Sequence, residues 1–418
     1  MSANPQLERT TRSNGVLLFV RIILLLRCSV SLCDPVISVL SVFSVGAIAR
    51  SVSAQPYSAR RNGDVVQLED AKTQTAVSIV PAVGDVAFEM KVKGQNVLRW
   101  PYASVDEFKT RPTLSGIPFL GPWANRLDEQ AFYANGKKYA FDMQLGNVNG
   151  AIPIHGFLSN TDQWQVMEVK ADGKSAWVTS KLDVYKQPTW MKQFPFAHTI
   201  EMTHRLQDGA LQVETKITNM AAERMPVAIG FHPYYQLTDS PREEWTVSVP
   251  AKTRWLLSGV KVPTGETEPA DKIFPNGKGQ LKDYNLDDVF GDLQRDAQGR
   301  AHVFLKGKQQ QLEIMLGPTF KSLVIYSPNP TNQGLGSQAM VNPNAPPAAA
   351  RGATPPAAGR GRGPGPNPLA TPNFICFEPM AGITDAMNLS QKGIYKEQQY
   401  IEPNQTWEAS FWVKPTGF

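Results

Sequence analysis

Pairs of alternating apolar and polar runs, each pair joined by a short Gly/Asp turn, recur along the chain and confine it to antiparallel β structure. Thr75–Val80 and Val86–Val92 flank Gly84-Asp85. Residues 164–169 and 175–181 flank Asp172-Gly173, and residues 199–206 and 211–217 flank Asp208-Gly209. In the last pair, Ile200, Met202, His204 and Leu206 share one face, and Leu211, Val213, Thr215 and Ile217 share one face of the partner. Further strand signals fall at 245–249, 312–316, 323–327, 374–377 and 406–413. No amphipathic helix pattern lasts beyond two turns, and no fixed-period repeat is visible. Hairpins in tandem build sandwiches or barrels rather than doubly wound sheets. The chain has 418 residues, enough for one large core. The expectation is an all-β protein, a large antiparallel β-sandwich forming a single domain over residues 55–418.

Two segments break the pattern. Residues 16–26 and 36–49 are apolar, the first interrupted by Arg21 and followed by Arg27, and Val52-Ser53-Ala54 supplies small residues where a signal peptidase cuts. The second run is short for a membrane span. Residues 1–54 therefore read as an export signal cleaved after Ala54, with an uncleaved anchor as the alternative. The mature chain is then expected in the periplasm or secreted, without stable membrane association. Residues 328–372 form a 45-residue stretch with 11 Pro, 9 Ala, 7 Gly and no acid. Such a composition buries too little apolar surface to offset its ordering entropy, so it reads as a disordered insertion between two strands. A sheet tolerates it because loop closure costs grow slowly with length.

The formal net charge of +5 is misleading, because the leader contributes +3 from five arginines against two acids. The rest, 37 basic against 35 acidic residues, is nearly neutral. That balance argues against a dedicated nucleic-acid binder. Cys376 is the single cysteine beyond the leader, so a disulfide framework within the mature chain is excluded. The five histidines show no HExxH pair and no close acidic cluster, and neither a metal nor a nucleotide cofactor is expected.

Five stretches carry side chains suited to chemistry. The loop from Gly116 to Leu127 contains Pro122-Trp123-Ala124-Asn125-Arg126. Its amide and guanidinium suit sugar hydroxyls, carboxylate or phosphate, and its indole offers a stacking face for a sugar ring; a surface Arg beside a core Trp is the plainer reading. His155-Gly156-Phe157 ends an apolar run, where a ligand-binding and a structural histidine are equally consistent. In Gly230-Phe231-His232-Pro233-Tyr234-Tyr235, Pro233 biases His232 toward extended geometry, and histidine donates protons near neutral pH. Glu378 ends the strand-like run Phe374-Ile375-Cys376-Phe377. It is either a solvated strand end or a buried carboxylate whose raised pKa makes it a usable base. Leu286-Asp287-Asp288-Val289-Phe290 reads as an acidic pair in a loop. The remaining histidines, His198, His204 and His302, read as structural.

In this order and combination, these motifs resemble the aldose 1-epimerase (galactose mutarotase) family over roughly residues 65–413. The resemblance implies a galactose mutarotase-like supersandwich whose open face binds a monosaccharide of glucose or galactose type. Position by position, it implies Glu378 as catalytic base and His232 as catalytic acid. It implies that Arg126 and His155 hold the sugar and that Asp287 is a substrate-binding acid, with the adjacent Asp288 as the alternative if the alignment slips by one; Asn125 lies in the binding loop. The chain departs from the family pattern around His232, where better-known members have Asn-His-x-Tyr-Phe, and at Met380, where an aromatic is common.

The implied reaction is mutarotation. A base takes the proton of the C1 hydroxyl while an acid protonates the ring oxygen; the ring opens, C1–C2 rotates, and closure returns both protons. With Glu378 ionised and His232 protonated, ordinary values near ~4.3 and ~6.5 leave a narrow pH window. The sequence-based expectation is that a nearby carboxylate raises the pKa of His232. Three alternatives are an epimerase of hexose 6-phosphates, a non-catalytic carbohydrate-binding domain, and a lyase or hydrolase. A hydrolase needs two facing carboxylates.

Overall fold

The computed structural model describes residues 55–144, 148–329, 334–337 and 373–418. The expected export signal at 1–54 and most of the Pro/Ala/Gly segment lie outside the described residues.

The hairpin signals become three large antiparallel sheets, beside three two-stranded ones among the described residues. Tyr57–Asn62, Val65–Asp70, Thr75–Val80, Val86–Val92 and Gln95–Asn96 follow one another as a five-stranded meander. A nine-stranded sheet runs in the order Gln165–Ala171, Ala176–Asp183, His198–Gln207, Ala210–Asn219, Thr406–Thr416, Gln311–Leu316, Ala301–Lys306, Thr246–Ser248 and Lys278–Gln280. The last strand of the chain is thus inserted between two earlier ones. The third sheet runs Pro263–Pro269, Ala251–Leu257, Leu286–Leu293, Ser322–Ser327, Ile375–Met380, Gly230–Phe231 and Phe119–Leu120, with Tyr234–Tyr235 also paired to Ile375–Met380. The three described α-helices have six residues each, in line with the missing long helix pattern, and none is long and apolar enough to cross a membrane.

Alternation decides what each face of the third sheet does, because successive side chains on a strand point to opposite faces. Phe290, Leu323, Ile325, Ile375 and Phe377 point one way and join the main core with Ile200, Met202, Leu206, Val213 and Ile217 of the nine-stranded sheet. The opposite face carries Val289, Val324 and Met380, which belong to a smaller cluster with Leu120 and Ala124. It also carries Cys376 and Tyr326, which pack with Tyr234 and Phe374.

The segment expected to be disordered from residue 328 departs from that expectation where it is described. Asn329 N–H donates to Asn285 Oδ1 at 3.0 Å. Leu335 exchanges backbone hydrogen bonds with Asp283 and Asn285, both at 2.8 Å. Composition predicts disorder only where no partner backbone is within reach, and here residues 283–285 provide one.

Arg242 ties the same corner together from beneath. Its buried guanidinium donates to the carbonyls of Leu281, Tyr284 and Ser327 and to Ser327 Oγ, at 3.0–3.2 Å. These carbonyls precede the Leu286–Leu293 strand and end the Ser322–Ser327 strand. Arg242→Ala strands several buried acceptors, so we expect a loss of about 3 kcal/mol or more of unfolding free energy, read from urea denaturation at unchanged m-value.

Candidate active site

Register builds the centre of the site. Gly230 pairs with Met380, and Tyr234 pairs with Cys376, both antiparallel. Counting inward from either pair sets His232 opposite Glu378. No ladder bond closes the sheet there: His232 N–H donates to Pro118 O at 3.0 Å instead, and Pro233 and Pro379 have no amide hydrogen. The side chains meet, with His232 Nε2 and Glu378 Oε1 3.2 Å apart. Both are buried, Glu378 at 1% exposure and His232 at 5%. Tyr234 stacks on the His232 ring at 4.8 Å and 16°.

The next strands extend the same face. Glu378 pairs with Val324, and Tyr326 pairs with Asp287. Asp287 therefore points to the side of Glu378, and Asp288 points to the core side. The acidic pair read as a loop lies in the eight-residue strand Leu286–Leu293, with all of Leu286 to Gly291 buried. Two adjacent acids mimic a turn in sequence, but each is neutralised in place. Arg126 donates to both oxygens of Asp287, at 3.4 and 3.0 Å. Arg254 donates through Nε and a terminal nitrogen to Asp288 Oδ1, at 2.9 and 2.6 Å, and a third nitrogen reaches Glu268 Oε1 at 2.5 Å. The pleat puts Asp287, and not Asp288, on the face of Glu378.

Two loops deliver Arg126 and His155. Gly121 and Gly156 pair as a parallel bridge, and Phe157 and Leu158 N–H both donate to Gly121 O. A Cβ at Gly156 would lie 2.0 Å from Gly121 O, and its φ is +57°, so only glycine fits. The neighbouring His155 and Asn125 are also left-handed, at φ 59° and 57°. Asn125 N–H donates to His155 Nδ1 at 3.2 Å, and His155 N–H donates to Asn125 O at 2.9 Å. Asn125 Oδ1 accepts from both the backbone N–H and the guanidinium of Arg126, at 2.9 and 3.0 Å. With Nδ1 accepting, the proton of neutral His155 sits on Nε2. The His155 ring meets that of His232 edge-on at 5.3 Å.

Electrostatics follow burial. Desolvation pushes the carboxyl of Glu378 well above its ordinary value; Asp287 adds to the rise and Arg126 opposes it. Desolvation, then His232 and Arg126, hold His155 well below 6.5. His232 falls to about 3, chiefly by desolvation. The expected upward shift of His232 is therefore overturned. The carboxyl of Glu378 stands 3.2 Å away, but burial decides the direction of the shift. Among the described residues, Glu378 Oε2 and His232 Nδ1 are buried without a hydrogen-bond partner. Buried polar atoms are nearly always paired; Asp85 and His204 form a second such buried pair with unpaired atoms, 3.8 Å apart, and what distinguishes Glu378 and His232 is the company of Arg126, His155 and Asp287.

All six candidate residues, Glu378, His232, Arg126, His155, Asp287 and Asn125, converge here. Trp123 does not serve as a sugar platform: it is buried and packs on Phe141 and Phe157, at ring separations of 4.5 and 5.9 Å. Sequence reasoning missed Tyr326, Arg254 and Lys261. Tyr326 is on the active face only by virtue of a register that no local motif encodes. His198, His204 and His302 stand apart, the first two buried and the third held by Asp296 and Glu313 at 2.8 and 2.7 Å.

A model of the family described as aldose 1-epimerase matches residues 65–411. Among solved structures, a galactose mutarotase-like protein from Clostridium acetobutylicum superposes with a TM-score of 0.67 at 20% identity, covering 87% of this chain and 98% of that one. The galactose 1-epimerase from Lactobacillus acidophilus gives 0.60 at 14%, covering 86% and 98%. A GalM/aldose epimerase homologue from C. elegans gives 0.59 at 15%, covering 83% and 97%. At these identities the solved structures establish a common fold.

The loop geometry has a spectroscopic consequence. In ¹⁵N-resolved imidazole spectra, His155 is expected as the neutral tautomer with its proton on Nε2, and to stay neutral from about pH 8 down through its ordinary value of about 6.5. Protonation near that value would contradict the hydrogen bond to Asn125 N–H.

Proposed function

The chain belongs to the aldose 1-epimerase family, and on that premise we propose that it interconverts the α- and β-anomers of a free aldohexose. The observation that carries this reading is the buried Glu378–His232 pair, 3.2 Å apart, with an orphaned atom on each member.

Mutarotation needs one base and one acid at once. Burial raises Glu378 and lowers His232, which drives the proton the two groups share from the imidazole toward the carboxyl. Whichever member carries it, the pair contains one acid and one base. In the bound state, sugar hydroxyls donating to Glu378 stabilise its carboxylate, and the proton resides on His232. Glu378 then takes the C1 hydroxyl proton while His232 protonates the ring oxygen, and the C1–O5 bond breaks to give the open-chain aldehyde. After rotation about C1–C2, the C5 hydroxyl returns its proton to His232 as its oxygen attacks C1, and Glu378 reprotonates the new anomeric oxygen. Atoms and charge balance over the cycle, and each proton transfer contributes about 10²–10⁴-fold.

The other residues fall into supporting roles. Arg126, fixed by Asn125 and Asp287, presents its remaining donor capacity to sugar oxygens. His155 offers Nε2–H to a ring or hydroxyl oxygen. Asp287 accepts from sugar hydroxyls, while Asn125 is spent on positioning Arg126.

A neutral sugar suits the local charge. Arg126 is matched by Asp287, Arg254 by Asp288 and Glu268, and Lys261 feels both Asp287 and Asp288. Among the described residues each of these cations is drawn to a carboxylate, so a phosphate dianion would have to compete for it. A hydrolase reading loses its second carboxylate, because Asp287 is engaged by Arg126. Export, carried by the pattern of residues 1–54, favours free sugars over cytoplasmic phosphates. Glucose- and galactose-type sugars are the first substrates to test.

With freshly dissolved α-D-glucose or α-D-galactose, the mature protein is expected to speed polarimetric relaxation. Glu378→Gln and His232→Asn should each lower kcat by about 10²-fold or more. Equal rates for protein and buffer on both sugars, with activity only on hexose 6-phosphates, would replace the free-sugar reading.

The pH profile is expected to be a plateau. Below about pH 3 His232 takes a second proton and the pair lacks a base. Well above the ordinary carboxylate range the single proton is lost and the pair lacks an acid. A bell centred between about 4.3 and 6.5, the ordinary values, would mean that burial does not control the pair.

A further inference from the structure

Residues 334–337 are fixed against one edge of the active sheet, and the reason lies in a departing strand. Ala251–Leu257 pairs with Leu286–Leu293 from Ala251↔Leu293 to Trp255↔Val289. Beyond Trp255 it pairs, among the described residues, only with Pro263–Pro269, in a register that shifts between Trp255 and Leu257. The edge at residues 284–288 is thus uncovered just where Asp287 and Asp288 stand.

Residues 334–337 complete that edge. Leu335 forms a parallel bridge to Tyr284, and Asn285 N–H donates to Leu335 O at 2.8 Å. Ser337 Oγ donates to the Asp287 carbonyl at 2.6 Å. Ser337 N–H donates to the carboxylate of Asp288, at 2.9 Å to Oδ2, and Asp287 N–H donates to the same oxygen at 3.1 Å. The Asp288 charge, fully buried, is thereby shared between Arg254, the backbone of Asp287 and the backbone of Ser337. Lys261, left-handed at φ 65°, reaches across from the hairpin of the departed strand and donates to Ser337 O. The fit demands glycine: a Cβ at Gly336 would lie 2.5 Å from Asn285 O and 3.0 Å from Asp288 Oδ2, and one at Gly334 would lie 2.8 Å from Asp283 O.

We propose that residues 334–337 are a positioning strap for Asp287, and that Ser337, acting through the Asp287 backbone, sets sugar affinity. The kinetic half of this inference rests on the mutarotase reading above; the structural half does not. Ser337 touches neither the reacting pair nor Arg126, so it is a positioning residue. Asp287 holds Arg126 through two hydrogen bonds, so a shift of its backbone moves the two sugar-binding groups and leaves Glu378 and His232 in place. The expected signature is a change in KM that kcat does not share.

The experiment compares the full-length protein with Ser337→Ala, Ser337→Thr and Gly336→Ala, by polarimetry and by amide hydrogen exchange. Ser337→Ala removes one buried hydrogen bond, and KM should rise about five- to tenfold with kcat within about twofold. Ser337→Thr keeps the hydroxyl and should restore KM. Exchange should accelerate at residues 283–289 in Ser337→Ala and Gly336→Ala, while residues 375–380 keep their protection. Equal loss of kcat and KM function with a general rise in exchange would reduce the strap to plain structure and overturn the proposal. Native-like KM and exchange in Ser337→Ala would overturn it too, and this variant decides the matter if Gly336→Ala fails to fold. If the native protein accelerates no aldose, the mutarotase reading fails, and the strap is then judged on exchange at 283–289 alone.

Discussion

The antiparallel register across Ile375–Met380 is the constraint from which the rest of the site follows. It sets His232 opposite Glu378, and through Ser322–Ser327 it carries the same face to Asp287. A slip of one residue on any of these strands would turn His232, Glu378 or Asp287 into the core. The apolar alternation on the other face prevents that slip. Phe290, Leu323, Ile325, Ile375 and Phe377 each bury a large side chain against the nine-stranded sheet. A slip would also carry Glu378 or Asp287 into this apolar core, where an unpaired carboxylate is costly to bury. Hydrophobic patterning, which carries no chemistry, is what aims the chemistry.

Taking these groups out of water has opposite consequences for pairs and for singles. Arg126 with Asp287, and Arg254 with Asp288, keep their charges because each has a partner and further donors or acceptors. Among the described residues Glu378 and His232 form no side-chain ion pair beyond the contact between them at 3.2 Å, and desolvation pushes both toward neutrality. The outcome is a pair in which burial works against a fixed ion pair and moves the shared proton toward the carboxyl. The narrow window inferred from ordinary carboxyl and imidazole values disappears once burial is counted.

How much of this is legible in the sequence depends on the range of the interaction. Thr75–Val80 and Val86–Val92 can be read to the residue because their hairpin is local and their alternation strong. Glu378, His232, Arg126 and His155 are legible through motif order. Asp287 and Asp288 pass for a loop, because adjacent acids in a buried strand require arginines 161 and 34 positions away. Trp123 misleads for a related reason, as its burial depends on Phe141 and Phe157. Nothing in a Gly-Leu-Gly-Ser stretch within a Pro/Ala/Gly-rich segment announces the edge of Asn285. That edge exists only because another strand departs.

Taming a long insertion does not explain the strap. Between Ser327 and Ile375 the chain spans 47 residues, and pinning it at residue 337 shortens the remaining loop by about ten. Closure entropy changes with the logarithm of length, so the gain is only about 0.2 kcal/mol. A buried carboxylate deprived of one donor loses about 1–3 kcal/mol. The local hydrogen bond therefore outweighs the loop entropy. The segment is held because Asp288, buried on the core side to balance Arg254, needs the amide of Ser337. The same four residues, by holding the carbonyl of Asp287, fix the carboxylate that faces the other way. One strand position thus serves the core and the next serves the site, and the strap couples them through the single peptide bond between.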